Sequence, residues 1–396
     1  MDKEKQIERI VSILLFMGLF FNLFFTYFAQ ERLYNYLTFG NNSLGPERFL
    51  RIFSVIAIFL TVFLTIFRAR TKYHFSIFFA YLLLVLYISL NFVFSGGDIT
   101  NMTEFMDEKG IGTWVCLGLL FVSYNDRRYK FFKTFLIIGT LFISLLTIYS
   151  FIDFGVGMWR GQALAKYRVY AVNMIWIVPY LFLTLKTKKK LQWVRLFILA
   201  MGVILALVTQ TRSFLIIYFI TLVFDFYHTK NKTNYFILLG VGIIGISYLI
   251  VNTEILSSSL ELLINRGTDD TRTKQIAVFL SQLNFWELIT GGGLNVSYRA
   301  GYEEAYYIDN QWLYLLWWGG LIPVLCYFYL SGVLPIKMLL KKNLSYETKV
   351  ECFVLILWLL ALLGLAIYTT MTIDLFFFIV TIILGRVLYK LSNNLL

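Results

Sequence analysis

Residues 252–308, NTEILSSSLELLINRGTDDTRTKQIAVFLSQLNFWELITGGGLNVSYRAGYEEAYYI, form the one long polar stretch of this chain and run directly into Asp309-Asn310. Strongly apolar segments flank them, Asn234–Val251 before and Gln311–Val333 after, so both ends of the stretch are tied to a membrane surface. The other connections are short. Of the 396 residues, 59% are hydrophobic and only 15% charged, and the mean hydropathy is +0.72, outside the range of soluble globular chains. The chain therefore reads as an all-α polytopic membrane protein, one membrane domain over residues 1–396. Residues 252–308 are its large loop.

A spanning helix needs about 20 mostly apolar residues. Runs of that order lie near 10–29, 50–67, 74–94, 111–124, 131–152, 169–185, 194–210, 212–228, 234–251, 309–334, 351–370 and 372–390, about twelve helices in all. Lys and Arg test this numbering, because they collect on alternate, cytoplasmic connections when the spans are placed correctly. The connections assigned inside hold 23 of the 35 basic residues and 7 of the 23 acids. Both termini are then cytoplasmic, and residues 252–308 face outward. This charge bias accounts for the net charge of +12 through attraction to anionic headgroups, and no nucleic-acid partner is implied. The run Ile10–Ala29 is too long for a signal-peptide core and lacks a small-x-small cleavage site, so it reads as an uncleaved first helix in the cell membrane.

Charge on the outer side is more informative, since topology does not demand it. Arg168 follows a short glycine-containing connection, Arg212 occupies the Thr209-Gln-Thr-Arg-Ser213 corner, and Arg266 and Arg272 bracket Gly-Thr-Asp-Asp-Thr in the long loop. A guanidinium is permanently charged and presents a fork of donors matched to phosphate oxygens. Several on one outward cavity would suit a diphosphate. Arg32, Arg48 and Arg51 read instead as interfacial anchors.

Beyond Arg272, the residues Ile276, Phe279, Leu280, Leu283 and Trp286 recur at helical spacing, as in an amphipathic helix lying on the bilayer or packed on other helices. Thr290-Gly-Gly-Gly293 reads as a turn, and with no preceding strand it is a weak phosphate cradle. Glu303, Glu304, Tyr306, Tyr307 and Asn310 are the aromatics, acids and amide that could stack on sugars and bind their hydroxyls, although Tyr at this depth also serves the aromatic belt. Both histidines, His74 and His228, fall on the inner side, so the outer candidates for a general base are carboxylates. Asp309 is the best placed, at the mouth of a helix, where it could equally be an N-cap. The three cysteines lie inside predicted spans without a CxxC pair, and neither a disulfide nor a metal site is expected.

Three features resemble the bacterial O-antigen polymerase and ligase superfamily, and within it the Wzy-type polysaccharide polymerases. The Thr-x-Thr-Arg-Ser hairpin at 209–213 is similar to that family's Ser/Thr-Arg-Ser turn. Asp270-Thr-Arg272, the amphipathic helix and Gly291-Gly-Gly293 resemble its outer-loop sequence. Asp309-Asn310-x9-Gly320-Leu-Ile-Pro323 is similar to the ligase motif His-Asn/Ser/Gln-x9-Gly-x-x-Gly, with Asp in place of His and Pro in place of the last Gly. As topology the resemblance covers nearly the whole chain, and as motif about a tenth of it.

The resemblance implies a GT-C-like, metal-independent glycosyltransferase without a cofactor. It would join undecaprenyl-diphosphate-linked oligosaccharides on the outer leaflet for capsule, O-antigen or exopolysaccharide, with flippase and chain-length regulator proteins as partners. Arg212 and Arg272 would bind the diphosphate, assisted by Arg168 and Arg266, and Asp309 would activate the acceptor hydroxyl. A ligase moving finished glycan to another acceptor, or a lipid-linked oligosaccharide flippase, are the alternatives.

Overall fold

The computed structural model describes residues 3–39, 47–68, 74–105, 109–155, 160–229, 271–300, 303–305, 308, 310–363 and 375–393, and besides these the single positions 232, 240, 244 and 248. The described chain is predominantly helical. In order it forms α1 (Lys3–Phe39), α2 (Glu47–Phe67), α3 (Phe75–Phe94), α4 (Met102–Phe105), α5 (Ile111–Cys116), a 3-10 segment (Leu117–Tyr124), α6 (Asp126–Phe154), α7 (Arg160–Thr184), α8 (Gln192–Val208) and α9 (Arg212–Tyr227). After α10 (Thr271–Gln282) and α11 (Phe285–Thr290) comes a hairpin of β1 (Tyr298–Ala300) and β2 (Glu303–Ala305). The chain closes with α12 (Gln311–Gly319), α13 (Leu321–Phe328), a π-helical turn (Tyr329–Val333), α14 (Leu334–Leu339), α15 (Tyr346–Ala361) and α16 (Leu375–Ser392).

Six helices among the described residues are long and apolar enough to cross a membrane: Lys5–Phe28, Phe49–Phe67, Phe75–Phe94, Asp126–Phe154, Lys166–Thr187 and Leu321–Leu339. The chain is thus a helical, multi-pass membrane protein that sits in a lipid bilayer. The predicted span 234–251 lies outside the described residues, apart from single positions. The predicted span 309–334 is broken at Gly320, whose φ of +84° no helix accommodates. Its first half, α12, is a separate short helix, and the membrane-length run begins at Leu321.

The predicted span at 111–124 is shorter than the others but gains length from its geometry. Six α residues and eight 3-10 residues rise about 25 Å at roughly 1.5 and 2.0 Å per residue, against about 21 Å for a pure α-helix. Fourteen residues so arranged nearly match an apolar membrane core of about 30 Å.

Packing divides the chain into two compact units. The first comprises Met1–Asn22, Arg51–Phe131 and Asp270–Leu396. Its 3-10 segment is wholly buried and lies so close against α16 that a Cβ on Gly385 would meet the Leu120 carbonyl. One end of this unit is basic, and several of its charges are paired across helices. Arg128 bonds Glu8 at 2.9 Å, and Glu351, fully buried, accepts from Lys390 Nζ and Tyr129 OH at 2.7 Å each.

The second unit comprises Leu23–Leu50 and Phe132–Asp269. Here α7, α8 and α9 pack together, and the buried Asp225 carboxylate takes both Arg195 and Lys186. Thr140, Ser144 and Thr147 of α6 are buried, and each hydroxyl donates to its own helix carbonyl four residues back. That satisfies polar groups which would otherwise be costly away from water. Lys166 pairs with Glu31 at 2.8 Å, and the amide oxygen of Gln30 accepts from Val169 N at 2.8 Å.

Candidate functional site

The end of the first unit opposite its basic end gathers the glycine motifs singled out in the sequence. The amphipathic helix predicted beyond Arg272 is two helices, because Asn284 caps the second by accepting from Trp286 N. Phe279 is buried, whereas Phe285 and Trp286 are exposed. α11 stops at Gly291, with φ +82°. The N–H groups of Gly292 and Gly293 then donate to the carbonyls of Trp317 and Trp318 at 2.8 and 3.1 Å. The triglycine is therefore committed to the C-terminal end of α12, and those two donors are spent on protein rather than free for a phosphate. Asn91 Nδ2 reaches the Trp318 carbonyl, and Tyr87 OH donates to Thr290 O at 3.0 Å, tying both elements to α3.

The hairpin is fastened to the same assembly. Gln282 donates to Arg299 O at 2.8 Å and accepts from Arg299 N at 2.9 Å, so one amide side chain supplies a strand-like pair of bonds to β1. Phe279, Tyr298 and Trp317 pack beneath it edge to face, with ring centroids 5.2 to 5.7 Å apart. The register places Arg299 opposite Glu304 and Ala300 opposite Glu303.

Asn310 is the N-cap of α12, and its side chain accepts from Trp312 N and Leu313 N at 3.1 Å each. The cap role considered for Asp309 thus belongs to its neighbour. Lys109, only 9% exposed, donates to Leu294 O at 2.6 Å and lies 5.5 Å from the ring centre of Tyr314. Tyr314 stands one helical turn beyond Asn310, so the ammonium is a fixed charge close to the start of α12. At the turn after α3, the Thr100 hydroxyl and N–H hold the Asp98 carboxyl below the usual carboxylate range.

Arg212 is the exposed first residue of α9, and Gln210, buried in the corner before it, has a left-handed φ of 49°. Arg168 is exposed on α7, and both arginines belong to the second unit. Arg272 lies in the first turn of α10, and Glu303 and Glu304 form β2, all in the first unit. Arg266, Tyr306, Tyr307 and Asp309 lie outside the described residues. The structure brings together the α10–α11 region, the triglycine, the hairpin and the Asn310-x9-Gly320 element. Lys109 escaped the sequence reading because the acids Asp107-Glu108 before it make it look like a solvated loop charge. The sign that could have found it is its place immediately before an apolar segment, on the side the charge bias predicts to be outer.

No known protein family, curated protein or solved structure matches this chain.

Proposed function

We propose that the chain is a Wzy-type polysaccharide polymerase with about twelve spans, a GT-C-like architecture and cytoplasmic termini in the cell membrane. In this reading it joins undecaprenyl-diphosphate-linked oligosaccharide repeat units on the outer leaflet. The observation that carries it is the interlock of Gly291–Gly293 with the α12 end at Gly320, two elements on either side of the hairpin that the resemblance names separately. A buried lysine beside the same helix adds fixed positive charge where an anionic substrate is required.

The reaction forms a bond between an acceptor hydroxyl oxygen and the donor sugar C1, and breaks the bond from C1 to the diphosphate oxygen. The lipid diphosphate leaves with the electron pair, and the hydroxyl proton passes to the Asp309 carboxylate. Arg212 and Arg272, with Arg168 and Arg266, would stabilise the charge developing on the leaving group, a task cationic side chains can perform. Glu303, Glu304, Tyr306 and Tyr307 would hold the glycan. Flippase and chain-length regulator proteins are the partners this reading implies.

The test supplies purified protein in liposomes with a lipid-linked repeat unit and resolves the products by size. A ladder of longer glycans is the expected result. Transfer of the lipid between leaflets without a ladder would replace the polymerase reading with a flippase. A single transfer to another acceptor would replace it with a ligase.

A further inference from the structure

The basic end of the first unit contains a cavity of about 290 Å³ that the proposed reaction does not use. Three helices end around it. His74 is the N-cap of α3, Lys337 lies in the last turn of α14, and Ser392 is the last residue of α16. Because α3 and the Leu321–Leu339 run are both of membrane-spanning length, a cavity at their ends lies at headgroup depth.

Its lining divides by chemistry. Lys337, Lys341 and His74 supply positive or protonatable groups, Ser76, Tyr329 and Ser392 supply hydroxyls, three aliphatic residues complete the wall, and no carboxylate takes part. Among the described residues Lys337 makes no ion pair. This sets it apart from Arg128, Lys186, Arg195 and Lys390, which are each spent on a buried or half-buried acid. The wall owes its shape to Pro335, which has no N–H to give the Ser331 carbonyl. The helix widens there into the π-helical turn Tyr329–Val333, with Leu334 N donating to Tyr329 O five residues back. Such single π turns frequently occur at functional sites, and this one contributes Tyr329 to the lining.

We propose that this cavity binds the phosphate of an anionic membrane-lipid headgroup. Lys337 and His74 are its principal contacts, and the aliphatic wall meets the first part of the lipid chains. The phosphate chemistry alone would also admit a soluble phosphate ester, but the headgroup depth and the aliphatic wall favour the lipid.

The test reconstitutes the full chain in nanodiscs of phosphatidylcholine with a minor share of phosphatidylglycerol, then counts retained lipids by native mass spectrometry after mild delipidation. Wild type is expected to retain phosphatidylglycerol in preference to phosphatidylcholine. Lys337→Ala is expected to weaken that preference about five-fold, the equivalent of the ~1 kcal/mol one lysine contributes beside anionic headgroups, and adding His74→Ala should weaken it further. Lys342→Ala is the control, because it removes the same charge from a residue outside the lining. Equal loss in Lys342→Ala and Lys337→Ala would overturn the site, since general surface charge would then explain the retention. Displacement of the lipid by millimolar glycerol phosphate would overturn the lipid as the ligand.

Discussion

Gly291 and Gly320 meet backbone to backbone: a Cβ on Gly320 would lie 2.7 Å from Gly291 N, and one on Gly291 would lie 2.5 Å from the Trp318 carbonyl oxygen. Both residues have φ above +80°. Two constraints therefore coincide at each, a left-handed backbone and the absence of room for any side chain. The contact joins the end of the long polar loop to the break in the apolar segment that follows it.

Alanine at either position should therefore be costly. Positive φ with an extended ψ, as both residues have, is essentially a glycine conformation and costs another residue roughly 1–3 kcal/mol, and overpacking against backbone adds ~1–3 kcal/mol. Gly320→Ala and Gly291→Ala are expected to lower the thermal midpoint clearly, and to reduce glycan polymerisation beyond what the loss of folded protein explains. Gly139→Ala serves as the contrast, since its new Cβ would make only ordinary contacts at 3.8 Å. It should be neutral or slightly stabilising by a few tenths up to ~1 kcal/mol. Equal midpoints for Gly139→Ala and Gly320→Ala would remove the interlock from the account.

The pair Glu351–Lys390 should be destabilised more by losing one partner than by losing both. Glu351 is fully buried, and the Lys390 side chain is 12% exposed. Glu351→Ala leaves an ammonium without its counter-charge and is expected to cost ~3–5 kcal/mol. The double replacement Glu351→Leu with Lys390→Met removes both charges and should recover most of that loss. Chemical or thermal unfolding in one detergent reads the difference, and a double variant less stable than Glu351→Ala would contradict the pairing.

Asn310 provides a separable test of structure against recognition. Its side-chain oxygen accepts from Trp312 N and Leu313 N, and loss of such a cap costs ~0.5–2 kcal/mol. Asn310→Asp keeps a capping oxygen, and Asn310→Ala does not. If the residue acts as a cap, Asp should retain stability and polymerisation while Ala loses both together. If Asp is stable but inactive, the amide NH2 contacts substrate.

The legible part of this molecule was whatever depends on apolar length. The runs at 50–67, 74–94 and 131–152 correspond to α2, α3 and α6 within a few residues, because twenty apolar residues in a bilayer have little choice but a helix. The helix break at Gly320 was hidden because a glycine inside a long apolar run carries no mark of its φ. The two-helix form of 271–290 was hidden for a related reason, since Asn284 can continue a polar face or cap a new helix, and only packing decides. The Gln282 bonds to β1 and the triglycine bonds to α12 are non-local pairings, and no local pattern encodes the partner. At the site itself, residue type pointed to phosphate-binding cations and carboxylates, but which ones share a surface is a tertiary fact.

Lys109 supplies the sharpest functional test, because it is buried and it ties the Leu294 carbonyl beside the start of α12. A lysine that merely ties the Leu294 carbonyl contributes a hydrogen bond to a charged group, worth ~1.5–3 kcal/mol, and the whole effect of its loss would be on the amount of folded protein. A lysine that also faces the anionic substrate would change turnover per folded molecule. Lys109→Met keeps the length and the packing against Tyr314 while removing the charge. The expected outcome is a fall in the rate of glycan extension of about ten-fold per folded molecule, equivalent to ~1.4 kcal/mol of lost stabilisation. Asp309→Ala, which would remove the proton acceptor, should fall by ~100-fold or more. Folded protein is counted by size-exclusion chromatography and the extension rate is read from the product ladder. A Lys109→Met protein that extends glycans at the wild-type rate per folded molecule would confine this lysine to a structural role.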